Sequence, residues 1–173
     1  MNKILMLDMD GAGANSDELI DKKYDELFYS YPDNACSIFK NLFVNGTELI
    51  FSEIFNRVIE ICKKTDCRIV WSSSWRFYPR YESNIEEARA VLNRFGLPKH
   101  YLIDYTPDLK GNSRTDEIVT WLEGYPSVQK CAILDDSFID TQRIPSVARF
   151  FQTDCRKGLT EEIKNEIITY FNN

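Results

Sequence analysis

Long apolar runs, excess positive charge, histidine, glycine and proline are all scarce in this 173-residue sequence. No stretch approaches the roughly eighteen consecutive apolar residues of a transmembrane helix. Met1 to Leu7 runs straight into Asp8 and Asp10, too soon for the apolar core of a signal peptide. Seven Gly and six Pro are too few for a collagen-like or low-complexity chain. The single histidine, His100, excludes a multi-histidine metal site or proton relay. Five cysteines, at 36, 62, 67, 131 and 155, form an odd set without paired spacing, so reduced thiols in a cytoplasmic setting are expected. A net charge of -6 argues against the basic face that generic nucleic-acid binding needs. It leaves room for a small phosphorylated substrate, because a bound metal ion can invert the sign of an acidic pocket.

What is present is one domain's worth of chain, 43% hydrophobic and 28% charged, long enough to bury about 70% of its unfolded surface. Ile4-Leu5-Met6-Leu7 is a short apolar run of the kind that forms a fully buried parallel strand. Similar runs recur at 67–71, 101–103, 131–134 and 147–151. Between them, apolar residues at helical spacing predict helices over 51–64, 84–95 and 114–123. Ser113 or Asn112 would cap the last of these. A closing helix is predicted over 159–171, with Thr160 as cap. Alternating strands and helices imply an α/β fold, a doubly wound Rossmann-like parallel sheet. Ligands of such sheets bind beyond the carboxyl ends of the strands. Asp8 and Asp10, Ser72 to Ser74, and Asp135 with Asp136 all fall just past strand ends, so they should converge.

Asp8 and Asp10 share a face if the segment is extended. Together with Asp135 and Asp136 they would crowd three or four carboxylates, which repel strongly unless a hard cation sits among them. Mg²⁺ suits such a site, because it accepts one or two carboxylates along with water and phosphate oxygens. One carboxylate can then attack phosphorus and form an aspartyl-phosphate. A second can protonate the leaving oxygen and later activate water.

In this order, these motifs resemble the haloacid dehalogenase (HAD) superfamily of phosphohydrolases. Asp8-Met9-Asp10-Gly11 looks like its first motif, the serine run after Ile69-Val70-Trp71 its second, Lys110 or Arg114 its basic third, and Leu134-Asp135-Asp136 its acidic fourth. The strings 69–76, 116–122 and 153–160 are closest to a small HAD group of phage and bacterial proteins, similar to HAD domains attached to RNA-repair proteins. The resemblance implies a Mg²⁺-dependent phosphatase with Asp8 as nucleophile and Asp10 as general acid/base. It implies metal ligation by Asp8, Asp10 (through its carbonyl) and the Asp135-Asp136 pair, with Asp136 in the more direct role. Ser73, with Ser72 and Ser74 as competitors, would bind phosphate, together with Lys110 or Arg114. Arg76 is a candidate for a second anionic group of the substrate.

The same resemblance places a small helical cap insertion at residues 12–50, within a single domain spanning 1–173. Its aromatics (Tyr24, Phe28, Tyr29, Tyr31, Phe39, Phe43) could stack on a base or simply form the core of a helix pair. Ala12-Gly13-Ala14 departs from the family pattern and should loosen the segment that closes over the site. Two alternatives stand beside the phosphomonoesterase expectation. One is a nucleic-acid 3′-phosphatase acting in end repair. The other is a binding module that retains the fold without catalysis.

Overall fold

The strands form around short runs of buried apolar residues, with charged or polar residues mostly at their ends. In the computed structural model, residues 3–8, 48–72, 85–94, 96–154 and 157–173 are described. Strand β1 is Lys3–Leu7, β2 Arg68–Trp71, β3 Leu102–Tyr105, β4 Lys130–Asp135 and β5 Ala148–Gln152. They make one sheet in the order β3-β2-β1-β4-β5, and every pairing is parallel. Helices α1 (Glu48–Thr65), α2 (Ile85–Arg94), α3 (Arg114–Gly124) and α4 (Glu161–Asn172) follow β1, β2, β3 and β5. The doubly wound α/β expectation therefore holds. The helical cap expected at 12–50 lies outside the described residues, except that α1 begins at Glu48.

Side-chain alternation along the strands sorts the core into two layers. Leu5, Leu7, Ile69, Trp71, Ala132 and Leu134 pack on one face, with Val58 and Cys62 of α1, Leu92 of α2 and Phe171 of α4. Ile4, Met6, Val70, Cys131 and Ile133 pack on the other, against Ile118, Trp121 and Leu122 of α3. Strand β1 is paired on both edges, by β2 and β4, and covered by helices on both faces, so residues 4 to 7 are at most 1% exposed.

Local chemistry closes the elements. After α1, Asp66 sits at φ 54°, a left-handed conformation that Asp tolerates better than most residues. Its N–H donates to the Cys62 carbonyl, and the chain then enters β2. Helix α3 starts with a complete capping box. The Ser113 hydroxyl accepts from the Asp116 N–H, and the Asp116 carboxylate accepts from the Ser113 N–H. Thr160 caps α4 through the Ile163 N–H. The chain is expected to be helical already at Leu159, but the helix begins two residues later because Thr160 is its extended N-cap. Helices α1 and α4 are clamped together on the outer surface. Lys164 Nζ donates to Glu60 (2.7 Å) and Glu161 (2.6 Å), and Arg57 donates to the Leu159 carbonyl at 2.8 Å.

Candidate active site

Hydrogen bonding continues one residue beyond the strands and fixes what stands there. Asp8 N–H donates to the Leu134 carbonyl, Ser72 to Leu7, Thr106 to Trp71 and Thr153 to Asp135, all at 2.9–3.0 Å. The carboxyl edge of the sheet thus carries a row of polar residues in the strand order: Thr106, Ser72, Asp8, Asp135 and Thr153. All five are at most 5% exposed. By alternation, Asp8 follows Ile4 and Met6, Ser72 follows Val70, and Asp135 follows Cys131 and Ile133, which places these three on the face that α3 covers.

Helix α3 answers them with its first residue. Arg114 Nη2 lies 3.8 Å from Asp8 Oδ1, and Arg114 Nε lies 3.8 Å from Asp135 Oδ2. A cation at the start of a helix opposes the helix dipole, so Arg114 owes its place to the two acids and not to its helix. Lys110, the other candidate base, is exposed in the loop before α3. The Asp135 Oδ1 atom accepts from the Ser137 N–H at 2.8 Å. Burial pushes the Asp135 carboxyl above its ordinary range, against the Ser137 N–H and the Arg114 guanidinium, which draw it down.

Asp8, Asp135 and Asp136 each bring a carboxylate oxygen within 4.8 Å of the others. One oxygen of the set, Asp135 Oδ2, is buried and accepts no hydrogen bond among the described residues. Three hard oxygen donors, one with capacity to spare, fit a hard divalent cation of the Mg²⁺ type. The hydroxyl of Ser72 and Nη1 of Arg114 are also buried without a hydrogen-bond partner among the described residues. They are donors suited to an incoming anion.

Of the residues expected from the sequence, Asp8, Ser72, Arg114, Asp135 and Asp136 come together at this edge. Asp10, Ser73, Ser74 and Arg76 lie outside the described residues. Thr106 and Thr153 escaped notice in the sequence. Their hydroxyls are buried, with no hydrogen-bond partner among the described residues. The signal that could have found them is position alone: each is the first residue past an apolar strand. Thr115 was missed too. Its hydroxyl accepts the Asp140 N–H at 3.0 Å and so ties the loop after β4 to α3. Trp121 is 4% exposed, with its indole N–H donating to Asp104.

Residues 4–163 match a family model described as the HAD domain in Swiss Army Knife RNA repair proteins. No curated protein and no solved structure matches the chain.

Proposed function

Because the chain belongs to the family of HAD domains in Swiss Army Knife RNA repair proteins, we propose that it is a Mg²⁺-dependent phosphomonoesterase working through an aspartyl-phosphate. One observation carries this reading: Asp8, Asp135 and Asp136 converge within 4.8 Å, with Arg114 set between Asp8 and Asp135. Asp8 is the nucleophile, and its carboxylate attacks the phosphorus of the ester. Arg114 offsets the charge of that carboxylate and of the transferring group. Ser72, or Ser73 or Ser74 beside it, donates to a phosphate oxygen. Asp10 gives a proton to the leaving oxygen and then takes one from the attacking water. Asp8, Asp135, Asp136 and the Asp10 carbonyl would hold Mg²⁺, which supplies charge neutralisation at the phosphoryl oxygens. Lys110 is the alternative to Arg114 at the phosphate, and Arg76 is assigned to a second anionic group of the substrate. Residues 12–50, which follow β1 and run into the start of α1, are assigned as a cap that sets substrate choice.

The substrate class has two readings. A small phosphorylated molecule agrees with the net charge of -6. A nucleic-acid 3′-phosphate end agrees with the RNA repair proteins that the family description names. No helix among the described residues is long and apolar enough to cross a membrane. A cytoplasmic setting is the reading of the five cysteines, an odd number without paired spacing.

The test is hydrolysis of p-nitrophenyl phosphate with Mg²⁺ and with EDTA, by the native chain and by Asp8→Asn. Turnover should need Mg²⁺ and fall at least about a thousandfold in the variant. Turnover indifferent to Asp8 would sink the assignment. A 3′-phosphorylated oligonucleotide that outperforms a mononucleotide would select the end-repair reading over the small-molecule one.

A further inference from the structure

The loop after β4 holds an apolar side chain where folding gives no reason for one. Phe138 is 83% exposed, whereas the next residue, Ile139, is 2% exposed and belongs to the α3-side core. Single exposed apolar residues are ordinary on protein surfaces, so exposure alone says little. Placement and restraint say more. Phe138 is two residues beyond Asp136, and two residues of chain span at most about 7 Å, so it borders the carboxylate cluster. The loop is pinned on both sides of it. Ser137 N–H donates to Asp135, and Asp140 N–H donates to Thr115 on α3. The ring is therefore presented by a fixed backbone at the carboxyl edge of the sheet, beside the site and open to solvent.

We propose that Phe138 is a stacking platform for the base of a nucleoside monophosphate unit whose phosphate lies at Asp8. This rests on the phosphoesterase reading and adds the chemistry of the leaving group to it. In phosphoryl transfer the leaving oxygen departs roughly in line with, and opposite to, the attacking one. With Asp8 attacking from the buried strand end, the rest of the substrate extends outward, past the 136–140 loop. A flat π-face there gains from a flat aromatic group and is indifferent to which base carries it. A sugar phosphate without a base would leave the ring in water.

The test compares adenosine 5′-monophosphate with ribose 5-phosphate, which carries an anomeric hydroxyl in place of the base. Binding is measured by calorimetry with Mg²⁺ on Asp8→Asn, where turnover does not interfere, with and without Phe138→Ala. The nucleotide should bind about tenfold more tightly than the sugar phosphate. Phe138→Ala should close that gap, and Phe138→Trp should keep it. Because the side chain is exposed, the melting temperature should barely move in either variant. A gap that survives Phe138→Ala overturns the proposal, and so does no gap at the outset, including the case where neither ligand is held. A short single strand ending in a 3′-phosphate, held more tightly than the mononucleotide and losing the same factor in Phe138→Ala, would identify a strand end as the source of the base. A clear gap in a chain that never hydrolyses p-nitrophenyl phosphate would remove the phosphatase reading and leave the stacking intact.

Discussion

At the scale of single residues, the basic group of the site is a question of reach. Arg114 is 19% exposed in its side chain and faces two buried acids, while Lys110 stands in solvent. Arg114→Ala should lower turnover of p-nitrophenyl phosphate by about a hundredfold, the scale of losing one preorganised charge donor. Lys110→Ala should lower it far less, and steady-state kinetics giving the reverse order would move the role to Lys110. The sequence left this choice open for a physical reason. Both residues lie near the start of one helix, and which of them reaches the carboxylates depends on the path of the 106–113 loop, which no local pattern encodes. The acids were easier to see, because Asp8 and Asp135 interrupt apolar runs at the point where a strand must end. The choice among Ser72, Ser73 and Ser74 turns on strand phase, since one step along a strand reverses the face. Ser72 follows Val70 onto the Asp8 face.

At the scale of elements, α3 is both a core helix and the mount for Arg114. Its capping box holds the first turn, with Asp116 also accepting from Arg143 across the β4 loop. Ser113→Ala should remove about 1 kcal/mol and lower the melting temperature by about 2–4 °C in a chain of this size. Because Arg114 is the very next residue, turnover should fall as well. A calorimetric scan and a rate assay on the same sample check both. The five strands were legible as apolar runs bounded by polar residues, to within a residue or two at their ends. Helix α1 was the largest miss, since it starts at Glu48 and not at Phe51. The apolar stripe becomes regular only from Phe51. The Thr160 cap was legible from side-chain chemistry alone, because a hydroxyl before two acids is a helix-start signal.

At the scale of the whole molecule, acid should be the weak flank. Hydrogen bonds from Lys164 and Lys64 hold Glu60 down from 4.5 to about 2. The Ser113 hydroxyl and the Arg143 guanidinium hold Asp116 down from 3.8 to about 2. The unfolded chain would bind these protons at higher pH than the folded one, so between about 4.5 and 2 acid favours unfolding. The contribution is complete above that window and gone below it. A urea midpoint measured from pH 6 to pH 2.5 should fall steadily below about 4.5, and Lys164→Ala should flatten the fall. Mg²⁺ should act in the opposite sense. At a hundredfold excess over its dissociation constant it adds about 2.7 kcal/mol, a rise of roughly 5–10 °C in melting temperature, and Asp136→Asn should remove most of the rise. The fold class followed from the alternation of strand and helix. The strand order did not, because which strands become neighbours is decided by the packing of helices on two faces and leaves no trace in any short window.

That order also governs when a newly made chain acquires its carboxylate cluster. Leu7 is paired on one side with Trp71 and on the other with Leu134. Strand β1 can pair with Arg68–Trp71 comparatively early, but its second neighbour, Lys130–Asp135, is made much later. Until then Asp8 lacks Asp135 beside it, and one edge of β1 stays open to pairing with other chains. Assembly of the site and burial of that edge are therefore one late event in biosynthesis, so a ribosome stalled before residue 130 would hold a product prone to aggregate and lacking the cluster.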